Sequence, residues 1–161
     1  MPGPKPVIEE NSIGAMRSHN VVTIDHKQDV VAAARLMREK HVGFLVVTEP
    51  WAGPEEYKIA GVVTDRDLVL AVIAREADPH ALTAGDVMTR NPLLIAEDCP
   101  LDAALGLMRD AGVRRVPFVG AAGGLVGVLS IDDVLERMAQ QLMSIAGSVR
   151  GGQRTERVVR P

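Results

Sequence analysis

The sequence predicts an α/β (α+β) fold built from two β-α-β-β-α repeats, and three observations support this prediction. An alignment of residues 16–73 with residues 88–139 indicates an internal duplication. Within each copy, apolar residues at helical spacing give way to short aliphatic runs typical of strands. Each copy then contains a glycine, two aliphatic residues, a hydroxyl residue and, three positions later, an aspartate, in GVVTDRD at 61–67 and GVLSIDD at 127–133.

The first helix of each repeat is indicated by apolar residues at positions i, i+3, i+4 and i+7. In the first repeat Asp25 and Gln28 are placed to cap this helix, and in the second Asp98 and Pro100 mark its start. One buried helical face per repeat is therefore expected. Its residues are Val30, Ala33, Ala34 and Met37 in the first repeat and Leu101, Ala104, Leu105 and Met108 in the second.

Two short aliphatic runs follow that helix in each repeat and are predicted to be strands, at 42–47 and 59–63 and at 113–119 and 125–129. The second strand of each repeat leads into a final helix. Beyond about Gly147 the chain lacks the apolar periodicity that would offset the entropy of ordering, so a mobile tail is expected. The predicted organisation is an N-terminal extension at 1–12, repeats at 13–78 and 79–145, and a flexible basic tail at 146–161.

Composition argues against several functional classes. Aromatic residues make up only 2% of the chain and the net charge is −3, which disfavours single-stranded and duplex nucleic acid as partners. Cys99 is the sole cysteine, and no Cys/His cluster suggests a metal site. No apolar run approaches membrane-spanning length and the first residues lack a signal-peptide pattern, so a cytoplasmic protein without a membrane partner is expected.

The repeated hydroxyl-x-x-aspartate stretch has two interpretations. Thr64 with Asp67, and Ser130 with Asp133, each fit a capping box at a helix start. Alternatively, the N-terminus of the helix attracts a phosphate, the hydroxyl donates to it, and the aspartate accepts the hydroxyl protons of a ribose. A phosphate and a vicinal diol together are typical of a nucleotide. The sequence alone leaves both interpretations open.

The duplicated unit resembles a tandem CBS-domain pair, the stand-alone regulatory module of cystathionine-beta-synthase type. The resemblance rests on the ordered elements, on the two G-aliphatic-aliphatic-[ST]-x-x-D stretches and on VRRVPFV at 113–119. It covers about residues 13–145. It implies two repeats packed about a pseudo-two-fold axis, with two clefts between them that bind AMP, ADP or ATP, or in some members NAD or S-adenosylmethionine, as regulators.

The resemblance also implies which residues bind the ligand, because each cleft combines the [ST]-x-x-D end of one repeat with the first and middle strands of the other. Arg115 is placed to reach a phosphate in either cleft. The two clefts are expected to differ in charge, since Gly43 and Phe44 correspond to Arg114 and Arg115. The first cleft would contain Ser130, Asp133, Val22, Val42, Gly43 and Phe44, and the second would contain Thr64, Asp67, Leu93, Val113 and Arg114.

The predicted function is therefore an adenine-nucleotide-binding sensor, without catalysis or a catalytic cofactor, that signals to a separate and unidentified protein. An enzyme is the first rival, but the sequence has no nucleophile motif, zinc-protease motif or phosphate-binding Walker loop. A structural or protein-interaction module without a ligand is the second rival. A homodimer is also expected, because apolar helix faces remain for a partner copy. The residues expected there are Leu68 and Val72 in one repeat and Val134 and Met138 in the other.

Overall fold

The computed structural model describes residues 12–16, 21–50 and 57–159. The predicted extension at 1–12 lies almost entirely outside these residues, as does most of the first repeat's loop. In chain order the elements are a 3-10 turn (Ile13–Met16), β1 (Thr23–Asp25), α1 (Val30–Lys40), β2 (Phe44–Pro50), β3 (Tyr57–Thr64), α2 (Asp65–Leu68), a π-helical turn (Val69–Ile73), α3 (Ala84–Val87), β4 (Thr89–Arg90), β5 (Ile95–Ala96), α4 (Leu101–Ala111), β6 (Arg115–Val119), β7 (Leu125–Ser130) and α5 (Ile131–Val159).

The strands form two small sheets, one centred on each repeat, and β4 from the start of the second repeat joins the sheet of the first. In the first sheet β1 pairs parallel with β2, β2 pairs antiparallel with β3, and β3 pairs antiparallel with β4. In the second sheet β5 pairs parallel with β6, and β6 pairs antiparallel with β7. Both antiparallel pairs shift register at the same place, between Val47 and Thr48 and between Phe118 and Val119. The duplication predicted from the sequence is thus confirmed down to the position of an irregularity.

The glycine that opens each repeated stretch is required by close packing within the fold. A Cβ on Gly127 would lie 2.2 Å from the ring carbon Cζ of Phe118, and one on Gly61 would lie 2.6 Å from Sδ of Met88. Atoms that close must move apart, so only glycine fits at either position without a shift of its neighbours. These two glycines therefore serve strand packing.

The hydrophobic cores show that the repeats exchange their first turns. Ile13 is fully buried in the core of the second repeat, and Ala84 is fully buried in the core of the first. Backbone bonds hold both turns in matching ways: Ile13 N–H donates to the Cys99 carbonyl, and Ala84 N–H donates to the Gln28 carbonyl. Each repeat therefore completes its core with a segment that precedes the other repeat's first strand.

The helices require three corrections to the sequence-based expectations. The residue that caps α1 is Asp29, whose carboxylate accepts from Ala32 N–H at 2.7 Å, and not the Asp25 and Gln28 pair. The final helix of the first repeat is short, because α2 ends at Leu68 and a π-helical turn follows. In contrast α5 continues to Val159, so the backbone at 146–159 is helical where a flexible tail was expected. Extending an existing helix adds one hydrogen bond for each residue fixed, which a nucleated helix achieves readily.

Candidate ligand-binding cleft

One pocket lies between the repeats, with a volume of about 230 Å³. Its walls come from the start of β1, from the turn between α1 and β2, from β6 and β7, and from the first turn of α5. All six residues predicted for the first cleft line it, and so does Arg115. The full set of lining residues is Val22, His41, Val42, Gly43, Phe44, Arg115, Val128, Ser130, Asp132 and Asp133.

The first repeat contributes the apolar wall of this pocket. His41 ends α1 in the left-handed conformation, with φ of 55°, and its N–H donates to the carbonyls of Arg38 and Met37. This turn brings Val42 and Gly43 to the pocket before β2 begins. Gly43 lies close to the start of α2, because its carbonyl accepts from Asp65 N–H at 3.2 Å and a Cβ on it would lie 2.7 Å from Oδ2 of Asp65. A larger residue at position 43 would thus displace Asp65.

The second repeat contributes the polar wall, at the junction of β7 and α5. Ser130 is only 8% exposed, and its Oγ accepts from Asp132 N–H at 3.2 Å. The reciprocal bonds of a capping box are not observed between Ser130 and Asp133. Among the described residues the Asp133 carboxylate has no hydrogen-bond or ion-pair partner. Asp133 therefore presents an unpaired acceptor to the pocket.

The corresponding end of the first repeat is closed on itself. Thr64 N–H and Thr64 Oγ1 both donate to Oδ2 of Asp67, at 2.8 and 2.7 Å, and Asp67 N–H donates to Thr64 Oγ1 at 3.2 Å. These contacts form a complete capping box at the start of α2. Here the helix-cap interpretation describes the observed geometry.

Two arginines share one carboxylate at the edge of the pocket. Arg114 Nη2 lies 3.0 Å from Oδ1 of Asp132, and Arg115 Nη2 lies 3.7 Å from Oδ2 of the same residue. All three side chains are more than 40% exposed, so solvent screens both ion pairs. Arg115 lines the pocket and Arg114 does not. Arg115 therefore lies beside this pocket as an arginine that is already paired with an aspartate. The corresponding residue of the first repeat, Phe44, carries no charge, as the predicted difference between the repeats requires.

The second predicted cleft is not formed by the pocket that Asp67 lines, and it stays a prediction. The Asp67 pocket, of about 360 Å³, is different from the pocket between the repeats, and its other walls come from the π-helical turn, from α3 and from the segment between them. That pocket contains none of Thr64, Leu93, Val113 or Arg114. Leu93 packs against the second core, and Arg114 is turned toward Asp132. The remaining residues of the Asp67 pocket are Leu70, Ala71, Arg75, Ala77, Leu82, Asp86 and Val87.

Three residues of the inter-repeat pocket were missed by the sequence reasoning. Val128 could have been found, since it precedes Ser130 by two positions and strand neighbours at i and i+2 face the same side. Asp132 precedes Asp133 by one position and reaches the pocket from the first turn of α5. His41 ends α1, and its position relative to the pocket depends on how the two repeats pack.

Neither a metal-binding cluster nor a membrane-spanning helix is found among the described residues. They contain no group of three or more His, Cys, Asp or Glu side chains that could hold a metal ion. No helix among them has the length and apolarity to cross a bilayer.

Comparison with known proteins gives a consistent result. The chain is 31% identical over 125 residues to an uncharacterized protein of Methanopyrus kandleri, covering 78% of this chain and 61% of that protein. The structure of CBSX2 in complex with AMP is similar at 28% identity with a TM-score of 0.65, covering 82% of this chain and 98% of that one. A hexameric CBS-CP12 protein from bloom-forming cyanobacteria is similar at 28% identity with a TM-score of 0.67, covering 81% of this chain and 68% of that one.

The family model that matches is the CBS domain, which is found twice, at residues 12–74 and 84–140. The two matches correspond to the two repeats, and each includes the first turn that packs into the opposite core. CBS domains are in general regulatory modules without catalysis. The chain belongs to the CBS domain family as a tandem pair.

Proposed function

We propose that the protein is a regulatory sensor that binds an adenine nucleotide in the pocket between its repeats, without catalysis. The observation that carries this proposal is the open end of the second repeat, where Ser130 and Asp133 face the apolar wall of the first repeat. The similarity to CBSX2, whose structure contains AMP, supports an adenosine ligand. AMP, ADP and ATP are the proposed ligand class, with NAD and S-adenosylmethionine as alternatives.

Each part of such a ligand has a suitable partner in the pocket. Val22, Val42 and Phe44 offer apolar surface on which an adenine ring can be buried. The unpaired carboxylate of Asp133 can accept the hydroxyl protons of a ribose in charge-assisted hydrogen bonds. Arg115 provides a guanidinium near the N-terminus of α5, and both favour a phosphate.

Calorimetry and thermal unfolding of the full chain with AMP test this function. At a hundredfold excess over Kd, binding stabilises the fold by about 2.7 kcal/mol, which raises Tm by roughly 5–10 °C for a domain of this size. Arg115→Ala should weaken the binding of AMP more than the binding of adenosine, because the guanidinium interacts with the phosphate. Arg109→Ala is the matched control, since Arg109 is exposed on α4 and does not line the pocket. No heat and no Tm shift with any adenine nucleotide would favour the rival interaction module.

We also propose that the protein forms a homodimer, through a surface that shares Met138 with the one expected. Leu68 is partly buried against the first core, and Val134 is buried in the second and is therefore unavailable to a partner. The exposed apolar surface lies further along α5, on five residues spaced 3, 4, 3 and 4 apart that are each more than half exposed: Leu135, Met138, Leu142, Ile145 and Val149.

This spacing is the a and d pattern of a two-stranded coiled coil. The segment 138–149 contains no charged residue, so a second copy of the same stripe meets no like charge. The homodimer can be tested by sedimentation at micromolar concentration. Leu142→Glu should shift the equilibrium to monomer, whereas Met143→Glu, an exposed position beside the stripe, should leave it dimeric. A monomeric wild-type chain would contradict the homodimer.

The regulated protein is proposed to be a separate molecule, and a cytoplasmic location stays a prediction.

A further inference from the structure

The described residues that line the inter-repeat pocket carry two acidic and two basic groups. The acids are Asp132 and Asp133 and the bases are Arg115 and His41, so the only guanidinium or ammonium among these lining residues is that of Arg115. The arginine, Arg115, lies 3.7 Å from Asp132, which Arg114 also contacts at 3.0 Å. Of the two carboxylates that line the pocket, Asp133 has no hydrogen-bond or ion-pair partner among the described residues. A phosphate that enters must therefore share Arg115 with Asp132.

The positions of these charged groups determine how strongly each further phosphate of a ligand opposes binding. A monophosphate can be matched by Arg115 and the N-terminus of α5. Additional phosphates add negative charge beside two carboxylates, and the described lining residues supply no guanidinium or ammonium other than Arg115. Like charges in close proximity oppose binding, by an amount that solvent reduces at this partly exposed site.

The size of the pocket has the same consequence. Its volume of about 230 Å³ lies below the roughly 300–1,000 Å³ of pockets that hold drug-sized ligands. A nucleoside or nucleoside monophosphate occupies less space than a triphosphate. Volume and charge thus independently favour the smaller and less charged ligand.

We infer that the pocket selects adenosine ligands carrying at most one phosphate over ADP and ATP, and that Asp132 is the residue that determines this selectivity. The inference rests on the proposed function, since it concerns the same pocket. It assigns a role to a residue that lies outside the repeated hydroxyl-x-x-aspartate pair. Asp132 acts by repelling additional phosphates and by holding Arg115.

Calorimetric titration of the full chain with adenosine, AMP and ATP tests this inference, at pH 8 and without divalent cations. The wild-type chain should bind AMP at least tenfold more tightly than ATP. Asp132→Asn should narrow that ratio by about fivefold, the order expected for one charge at about 4 Å in water. Asp110→Asn removes an equivalent carboxylate, paired with Arg109 on α4 outside the pocket, and should leave the ratio unchanged.

The outcomes separate the two proposals. If no adenosine ligand binds, the proposed function itself is overturned. If AMP binds but ATP binds equally well or better, the function stands and the selectivity is overturned. If the wild-type ratio is as expected but Asp132→Asn leaves it unchanged, the assignment to Asp132 is wrong. Should Asp132→Asn fail to fold, the wild-type ratio of AMP to ATP affinity still tests the selectivity.

Discussion

The two hydroxyl-x-x-aspartate ends have almost the same sequence and different contacts. In the first repeat, Thr64 and Asp67 satisfy each other in a capping box. In the second repeat, Ser130 Oγ is used by Asp132 N–H, and Asp133 is left without a partner among the described residues. The same motif thus forms a complete capping box in the first copy, whereas in the second copy Ser130 caps the helix through Asp132 N–H and Asp133 faces the pocket. A motif of this kind indicates a site only when its acid is not already satisfied locally.

The residue that faces each end differs as well. Gly43 and Arg114 are equivalent, because their carbonyls accept from Asp65 N–H and Ile131 N–H at the starts of α2 and α5. Gly43 leaves space beside the pocket, whereas Arg114 extends a side chain that pairs with Asp132. Duplication therefore preserved the backbone arrangement while the two copies diverged in the side chains that decide charge.

The largest expected difference between the two ends concerns ligand affinity. Asp133→Asn should weaken AMP binding by about 1.5–3 kcal/mol, because charge-assisted hydrogen bonds to the ribose are lost. Asp67→Asn should change AMP affinity much less, since Asp67 is engaged by Thr64. Calorimetry on both variants measures the contrast. Equal losses of AMP affinity in the two variants would show that the two ends are equivalent, which would contradict the difference between them.

The next largest effect concerns the glycines that open the two stretches. Gly127→Ala should destabilise the fold by about 1–3 kcal/mol, as overpacking against the buried Phe118 ring requires a shift. Gly106→Ala is the matched control, because a Cβ there meets no atom within 4 Å. It lies inside α4, where alanine in place of glycine stabilises by about 0.5–1 kcal/mol. Urea unfolding measures both, and a stable Gly127→Ala would show that Phe118 moves freely.

A smaller effect separates the hydroxyl residues in the absence of ligand. Thr64→Ala removes the cap of α2 and should destabilise the chain by about 1 kcal/mol. Ser130→Ala should cost less, because its hydroxyl makes one local bond and no reciprocal one. Thr64→Ser retains the hydroxyl and serves as the control. Thermal unfolding with a larger loss at Ser130 than at Thr64 would reverse the assignment of cap and pocket wall.

The smallest effect is a pH dependence at Asp86, which forms a capping box with Thr83 at the start of α3, as Asp67 does with Thr64 at the start of α2. Hydrogen bonds from the backbone and side chain of Thr83 hold the pKa of Asp86 below its ordinary value of 3.8. A lowered folded-state pKa contributes stability above pH 3.8, which is lost as pH falls through the folded-state value. Asp86→Asn should therefore reduce the dependence of unfolding free energy on pH below about 4. An unchanged acid-unfolding profile would contradict this contribution.

The sequence by itself determined the duplication and the order of the main strands and helices in each repeat. These features depend on local spacing: apolar residues at helical intervals in α1 and α4, aliphatic runs in the strands, and a hydroxyl residue at each junction of strand and helix. Such patterns are set by neighbours within a few positions along the chain. The expectation that Val42, Gly43 and Phe44 lie opposite Ser130 and Asp133 came from the family resemblance; these residues line one pocket, and their role as a ligand site stays a prediction.

Only the tertiary structure decided two features: which hydroxyl-x-x-aspartate pair leaves its acid unpaired, and into which core the first turn of each repeat packs. Ile13 packs into a core built from residues more than eighty positions later, and nothing in its local sequence indicates that destination. Both hydroxyl-x-x-aspartate pairs fit a capping box equally well by spacing, yet of the two only Thr64 and Asp67 form its reciprocal bonds, whereas Ser130 accepts from Asp132 N–H. The physical reason is that a short polar side chain can accept from several nearby donors at nearly equal energy. Long-range packing then determines which of these donors it bonds and which pocket it faces.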